Sequence, residues 1–596
     1  MKPIEIRRRC SVTLATNWPA HVHPVLHRVY AARGIVDPCE VDHRLAALAA
    51  PSLLDGIDTA CALLDDAITR NRRIVVVGDF DCDGATGTAV AVRGLRLLGA
   101  RDIGFRVPNR VLHGYGLTPA LVATLVDPSP DLIVTVDNGV ASHAGVADAR
   151  ARGIDVLVTD HHLPAATLPL ANAIVNPALQ HGSGARPFDR DLPSTNAASS
   201  VDSSRLRNLA GVGVMFCLLV ALRARLRERG AFQAVPEPDL SSLLDLVALG
   251  TVADLVPLDF NNRVLVDAGI KRIRKRRACA GVLALLDVAG RDPAGIVPSD
   301  LGFVVGPRIN AAGRLDDMQV GIECLLTDDP LEAKAVAARL SAINSERRDL
   351  QTTMVEQGEA AVARWLAGHA QDTLPLGVTL FEEDWHAGVV GLVASKLKDR
   401  LHRPVVACAP AGDGSDDVRG SARSIRGVHV RDILADVDAR HPGLIRRFGG
   451  HAMAAGLSLA RADVARFAIA FDVAVRERTS PELFDPVLLT DGELDAADIC
   501  LDLARQLRHA GPWGQGFAEP LFDNRFELAT WRLVGGKHWR LDLRMRGVDR
   551  PIEAILFNAE AGATPPPAFR AAYQLDINEW NGRESVQLVV RHLQAE

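Results

Sequence analysis

Three aspartates, Asp79, Asp81 and Asp83, alternate in Val77-Gly78-Asp79-Phe80-Asp81-Cys82-Asp83-Gly84, directly after the apolar run RRIVVVGD at 72–79. On an extended loop alternate side chains share a side, so these carboxylates converge. Converging carboxylates repel one another unless a cation or protons neutralise them. The D-x-D-x-D-G pattern also begins a calcium-binding helix–loop–helix site, but the position that needs a bidentate Glu is Val90, and a strand pattern precedes the loop. No Gly-Lys-Ser/Thr closes the turn, which excludes a nucleotide-binding P-loop. Further acids and imidazoles follow other apolar runs: Asp137 in Val136-Asp137-Asn138-Gly139, Asp160-His161-His162, and Asp254 in LVALGTVADLVPL at 246–258. Each alone reads as a helix cap or a surface pair.

The elements around them give these residues a common address. RRIVVVGD (72–79), DLIVTVD (131–137) and IDVLVTD (154–160) are short β-branched runs of the kind buried in a parallel sheet, and helical patterns such as 87–100 and 142–153 lie between them. Strand–helix–strand alternation predicts an α/β fold whose strand C-termini line one ligand-binding edge. Asp79, Asp81, Asp83, Asp137, Asp160, His161 and His162 then meet in one crevice. Carboxylates with one or two imidazoles suit Mn²⁺ or Mg²⁺, the histidine tilting the choice toward Mn²⁺. Five or six anionic ligands exceed the need of one ion, so two are expected. Two such ions clamp the attacking and leaving oxygens of an in-line phosphoryl displacement, so hydrolysis of a phosphate ester is the expected reaction. Cys82 is expected to point away from Asp81 and Asp83.

Composition narrows the class. The 596 residues are 48% hydrophobic and 23% charged, ordinary for a globular chain of roughly four domains. Net charge is −6, from 67 basic and 73 acidic residues, so a nucleic acid must be met by a local basic surface. Nine cysteines form no C-x-x-C pair, which favours reduced thiols and a cytoplasmic location. No secretory leader and no membrane span are expected.

The chain divides by pattern. Residues 1–70 form an N-terminal helical extension, and 71–329 a parallel-sheet catalytic domain with a flexible Ser/Asn/Gly-rich insertion at 180–208. Residues 330–372 are a linking helix, 373–476 a second α/β domain, and 477–596 a β domain of OB type whose Asn581-Gly582 pair marks a hairpin. The basic run 271–277 reads as a solvated helix face ahead of a DNA contact, and Trp531, Trp539 and Trp580 read equally well as core or as base-stacking platforms.

With these segments in order, the chain resembles the DHH phosphoesterase superfamily and, within it, the RecJ family of bacterial single-stranded-DNA-specific 5′→3′ exonucleases. GDFDCDGATGT, VPNRVLHGYGL, VDNGV, TDHH, LDLVALGTVADLVPL, GFVVGPRINAAGRLDD, GSARSIRG and FGGHAMAAGLSL carry the likeness, the last belonging to the accessory DHHA1 domain, together with GPWGQGFAEPLF and LDINEWNG near the end. The resemblance implies a DHH domain, a linking helix, a DHHA1 domain and an OB-like single-strand-binding domain, acting in DNA repair and recombination. It implies metal ligation by Asp81, Asp83, Asp137, His161 and Asp254, supplemented by Asp79. His162 would touch the scissile phosphate or act as an acid, with Asp160 orienting its neighbours. Related pyrophosphatases carry a histidine where this chain has Val77, so one metal site would be weaker or would recruit Asp79.

For the substrate, the resemblance places Arg110, Ser421 and Arg423 around a 5′-terminal phosphate, which arginine forks and a hydroxyl suit chemically. It adds Arg314, Gly450 and His451 as further DNA contacts, the last two in a small-residue loop read as a strand–helix junction where backbone N–H groups approach a phosphate chain or simply pack tightly. Implied partners are single-stranded DNA with a 5′ end, a single-strand-binding protein and a RecQ-type helicase, with no membrane. A DHH phosphodiesterase acting on short oligonucleotides or cyclic dinucleotides, and a non-catalytic single-strand-binding protein, are the alternatives.

Overall fold

The computed structural model describes residues 4–10, 17–109, 113–165, 167–179, 205–367, 375–412, 414, 416–450, 452–545, 550–559, 562–580 and 582–595. Arg110, His451 and Asn581 lie outside the described residues, as do positions 180–204 of the segment read as an insertion. Its last four residues belong to the folded body: Leu206 is buried, and Asn208 donates a 3.0 Å hydrogen bond to Asp259. The chain forms two compact units, Met1–Arg7 with Ser345–Thr490, and Arg8–Asn344 with Asp491–Glu596. Strand β1 (Glu5–Arg8), in a segment expected to be helical, lies beside the strand Val487–Thr490 in a two-stranded sheet. That partner is about 480 residues away in sequence, too distant for local pattern to show it.

The larger unit is built on a five-stranded sheet of β2 (Ile74–Gly78), β3 (Ile103–Arg106), β4 (Leu132–Val136), β5 (Asp155–Thr159) and β6 (Ala173–Val175). Every pairing is parallel and the order is β3-β2-β4-β5-β6. Both IVVVG in β2 and LIVTV in β4 are buried along their whole length. The strands present Val75, Val77, Ile133, Val156 and Val158 to one apolar layer and Ile74, Val76, Leu132, Val134 and Leu157 to another, so both faces are covered. Chain order reverses between β2 and β4, and ligands bind at the carboxyl ends of strands beside such a reversal.

Helix Gly211–Glu228 approaches that point closely. A Cβ at Gly211 would lie 2.5 Å from the Cβ and 2.8 Å from the Cα of Asp137, so only glycine lets the helix start there. Strands β7 (Val378–Phe381), β8 (Val405–Pro410), β9 (Asp417–Arg423), β10 (Arg447–Gly450) and β11 (Ala454–Ala460) form the sheet of the smaller unit, in the order β10-β11-β9-β8-β7. Only β7–β8 is parallel. Gly449 and Gly450 therefore lie in a β-hairpin with β11, and the strand–helix junction expected there is corrected. Strand β12 (Val487–Thr490) is the partner of β1.

The C-terminal strands β13 (Phe522–Val534), β14 (His538–Arg544), β15 (Ile552–Leu556), β16 (Ala568–Trp580) and β17 (Arg583–Ala595) close into a barrel, in the order β13-β14-β15-β17-β16. Its interior residues, among them Phe522, Phe569 and Tyr573, join the same apolar core as the parallel sheet. The helix Pro330–Ala367, 38 residues long, covers most of the expected linking segment. Among the described residues no single helix is long and apolar enough to cross a membrane.

Replacing Gly211 by alanine should cost about 1–3 kcal/mol of stability, the usual penalty of overpacking, despite alanine's better helix propensity. Urea unfolding of the purified variant beside the parent protein measures this.

Candidate active site

The parallel sheet delivers its acids at one level. Gly78 pairs with Val136, and Val136 with Thr159. Asp79, Asp137 and Asp160 are the next residues of their three strands. The Asp137 N–H donates to Thr159 O, and the Asp160 N–H to Val175 O, each at 3.1 Å. Asp137 has φ +63°, a left-handed conformation that costs a non-glycine residue roughly 1–2 kcal/mol. Asp254 arrives from elsewhere, as the C-terminal cap of helix Leu244–Ala253.

Asp81 and Asp83 do not reach the cluster along an extended loop, as alternation suggested. Cys82 opens the helix Cys82–Leu97, Asp81 is its N-cap and accepts from Gly84 N at 3.0 Å, and Asp83 sits in its first turn. The two carboxylates therefore join different groups. Asp79, Asp81 and Asp137 hold ligand atoms within 4.8 Å of one another, as do Asp83, His161 and Asp254, and as do Asp137, His161 and His162. Cys82 is buried and its thiol belongs to none of these groups. Asp83 is fixed by a second helix start: Gly211 N and Val212 N donate to its two oxygens at 2.6 and 2.9 Å. Helix N-termini favour negative charge, so two of them offset part of the cluster's repulsion. No local pattern marks Gly211 as part of the site, because this contact joins positions 128 residues apart.

The two histidines have different environments. His161 Nε2 lies 3.0 Å from Asp137, 3.6 Å from Asp254 and 4.0 Å from Asp83. Burial and the neighbouring His162 charge lower its pKa, which keeps the ring neutral and able to ligate. His162 Nδ1 meets Asp160 Oδ1 at 2.8 Å. Burial opposes its charge, yet that hydrogen bond and the Asp160 charge carry it up to about 9. Asp160 also accepts from the backbone N–H groups of His161, His162 and Val140. Burial would raise the Asp160 pKa, but these donors and the His162 charge hold it below its ordinary value. Asp160 thus faces its neighbours and belongs to none of the three ligand groups.

The remaining acids are crowded. Burial first, then the charge of Asp254, raises Asp83 to about 7, while burial and Asp81 raise Asp254 to about 8. Burial and the charges of Asp83 and Asp81 raise Asp137 well above the carboxylate range. Asp137 Oδ1 and His161 Nε2 are both buried without a hydrogen-bond partner. An unsatisfied buried polar atom costs about 1–3 kcal/mol, and a divalent cation would satisfy both atoms at once. Oxygen donors with one or two imidazoles and no thiol fit Mn²⁺ or Mg²⁺. Val77, where the pyrophosphatase pattern has histidine, is buried in the sheet, and Asp79 joins the ligand group beside it.

Around the cluster, Tyr115 stands edge-on to both Phe80 and His162, with ring centroids 5.8 and 6.1 Å apart. Sequence reasoning does not single out Tyr115, although it lies within the segment VPNRVLHGYGL. Arg314 lies in the last turn of the helix Gly306–Leu315, next to Gly313, whose Cβ position is 2.0 Å from Phe80 O.

The other predicted substrate residues occupy the smaller unit. Ser421 and Arg423 share one face of β9, and Arg423 donates to Ser421 Oγ at 2.8 Å. Both stand at the start of the helix Val390–Leu401, since a Cβ at Gly391 would lie 3.0 Å from Ser421 Oγ and 2.9 Å from an Arg423 terminal nitrogen. A guanidinium, a hydroxyl and a helix N-terminus are suited to a phosphate. Gly449 and Gly456 continue the Ser421 row across the sheet, and a Cβ at either would meet nothing within 4 Å. Gly450 differs: its Cβ would come within 2.5 Å of Ala454 O, so its own hairpin requires the glycine. The basic run is largely engaged. Lys271 pairs with Asp267 and Arg276 with Asp292, and Arg274 donates to Ile296 O. Trp539 is 6% exposed and part of the barrel core, whereas Trp531 is 39% exposed.

Family models match along the chain: the DHH family N-terminal domain at 73–251, the DHHA1 domain at 374–477 and the RecJ OB domain at 490–592. The single-stranded-DNA-specific exonuclease RecJ of Dickeya dadantii is 48% identical, over 99% of each chain. The crystal structure of RecJ from Thermus thermophilus with Mn²⁺ superposes with a TM-score of 0.77 at 30% identity, covering 99% of this chain and 80% of that one. Its counterpart with Mg²⁺ gives a TM-score of 0.71 at 28% identity, covering 99% and 79%.

Without metal, Asp83 and Asp254 hold protons in the fold up to about pH 7 and 8, whereas an unfolded aspartate loses its proton near 3.9. Their folded pKa values lie above the unfolded ones, so these carboxyls favour the fold at low pH and withdraw that support as pH rises through 7 to 8. Thermal unfolding at pH 6 and pH 8.5, with chelator and with Mn²⁺, should show the metal-dependent gain in Tm to be larger at pH 8.5.

Proposed function

This chain belongs to the RecJ family, and on that footing we propose that it is a single-stranded-DNA-specific exonuclease that hydrolyses phosphodiester bonds with divalent metal ions. The observation that carries this is the convergence of Asp79, Asp81, Asp83, Asp137, Asp254 and His161 at the sheet's reversal point, with buried ligand atoms left unsatisfied. Bound there, two ions would stabilise charge on the attacking and leaving oxygens and ionise a water near neutral pH.

The chain's own residues do the rest. Asp81, Asp83, Asp137, His161 and Asp254 hold the ions, with Asp79 completing the ligand set. Asp160 fixes the ring of His162, and the His162 imidazolium binds a phosphate oxygen or gives its proton to the leaving oxygen. Arg314 adds a positive charge beside the acid loop. Ser421 and Arg423 take the 5′-terminal phosphate, which sets 5′→3′ polarity, and Arg110 is a further DNA contact. Gly450 and His451 belong to the segment that follows the strand. The OB-like barrel binds single-stranded DNA. The setting is DNA repair and recombination in the cytoplasm, beside a single-strand-binding protein and a RecQ-type helicase.

A long single strand with a 5′ phosphate and a 3′-end label should shorten stepwise in Mn²⁺ or Mg²⁺, while the blunt duplex survives. Immediate release of labelled mononucleotide would reverse the polarity. Cleavage of dinucleotides alone would indicate a short-oligonucleotide phosphodiesterase, and strand binding without cleavage a non-catalytic protein. Asp81→Ala and Asp137→Ala should each cut turnover roughly a thousandfold or more, since a metal supplies several kcal/mol of transition-state stabilisation. Circular dichroism should show both variants folded.

Ser421→Ala and Arg423→Ala should raise KM for a 5′-phosphorylated strand about tenfold or more and leave a 5′-hydroxyl strand nearly unchanged, in line with the worth of charge-assisted hydrogen bonds. Steady-state digestion of the two strands compares them directly.

A further inference from the structure

Helix Gly306–Leu315 meets the acid loop along one face. At positions 306, 310 and 313, spaced i, i+4 and i+7, its residues are Gly, Asn and Gly. A Cβ at Gly306 would lie 3.8 Å from Cys82 Sγ, and one at Gly313 only 2.0 Å from Phe80 O. Between them, Asn310 Oδ1 accepts a hydrogen bond from the Cys82 N–H at 2.7 Å. Gly313 lets the helix backbone come against the loop backbone at Phe80, and the asparagine makes the polar contact.

That contact matters because of what the loop must avoid. Cys82 is the first residue of helix Cys82–Leu97, so its N–H has no partner within the helix. The nearest carboxylate, Asp81, already engages the Gly84 N–H through Oδ1. A second backbone donor turning to Asp81 would take lone pairs from metal ligation. The Asn310 amide oxygen meets that need and spares Asp81 a second backbone donor.

We propose that Asn310 is a positioning residue of the metal centre: by accepting the Cys82 N–H it fixes the Asp79–Asp83 loop and leaves the carboxylate of Asp81 to the metal. This rests on the metal-dependent reading above. Groups that orient ligands from behind are typically worth 10- to 100-fold in metal affinity.

The test compares Asn310→Leu, similar in size but without an acceptor, with Asn310→Asp, which keeps an acceptor oxygen in the same place. Mn²⁺ binding to chelator-treated full-length protein is measured by calorimetry, alongside the Mn²⁺ dependence of strand cleavage. Asn310→Leu should bind Mn²⁺ at least tenfold more weakly and need correspondingly more Mn²⁺ for half-maximal cleavage, while KM for the strand at saturating Mn²⁺ stays within about twofold. Asn310→Asp should bind Mn²⁺ within about threefold of the parent protein. Unchanged Mn²⁺ affinity in Asn310→Leu would overturn the proposal, as would equal losses in both variants or a change confined to KM for the strand. A parent protein that neither binds Mn²⁺ nor cleaves would instead overturn the metal-dependent reading itself.

Discussion

Mutual repulsion among buried carboxylates is the constraint on which the rest of this structure depends. Asp79, Asp83 and Asp137 are all buried, with Asp81 and Asp254 beside them. Ionised carboxylates in such a place cost several kcal/mol each unless they are paired. The frame therefore has to be stiff and has to supply compensating charge. Stiffness comes from strands whose two faces are both packed, so that three acids emerge at one level. Compensation comes from the starts of two helices, Cys82–Leu97 and Gly211–Glu228, which turn backbone N–H groups toward Asp81 and Asp83. Asp137 itself adopts a left-handed backbone at the end of its strand.

One sequence triplet, Asp160-His161-His162, shows how environment divides labour among adjacent residues. Asp160 receives three backbone N–H groups and the His162 ring, so its charge is engaged locally. His162 becomes the better base of the two rings through that contact, while His161, surrounded by acids at 3.0–4.0 Å but deeply packed, stays neutral. An imidazole that ligates must be unprotonated, and one that meets a phosphate or gives up a proton must carry it. Spacing alone places two histidines together; only their partners tell them apart.

Much of the site was legible because acids at strand ends are a local pattern. The runs before Asp79, Asp137 and Asp160 are rich in β-branched apolar residues, and in a parallel sheet their C-termini must share an edge. What local pattern missed is tertiary. Asp83 depends on Gly211, Cys82 on Asn310, and β1 on β12, each pairing residues more than a hundred positions apart. The extended geometry assumed for the loop failed because alternation is shared by strands and by an N-cap followed by a first helical turn; Asp81 is a strong N-cap, and the helix takes over at Cys82. Small-residue runs misled for a similar reason. Gly449 and Gly450 suit a strand–helix turn as well as a hairpin, and the antiparallel register with β11 decides between them. The basic run at 271–277 is a helix end whose cations are held by carboxylates and carbonyls of their own neighbourhood.

The acid cluster and the Ser421–Arg423 face are opposite electrostatic environments. Without cations, the acid cluster repels any phosphate chain, since both are anionic. The Ser421–Arg423 face, backed by a helix N-terminus, presents a guanidinium and backbone donors suited to an anion. Cations held by the cluster would remove that repulsion. A lysine or arginine among those carboxylates would calm their repulsion permanently and leave nothing for a metal to do.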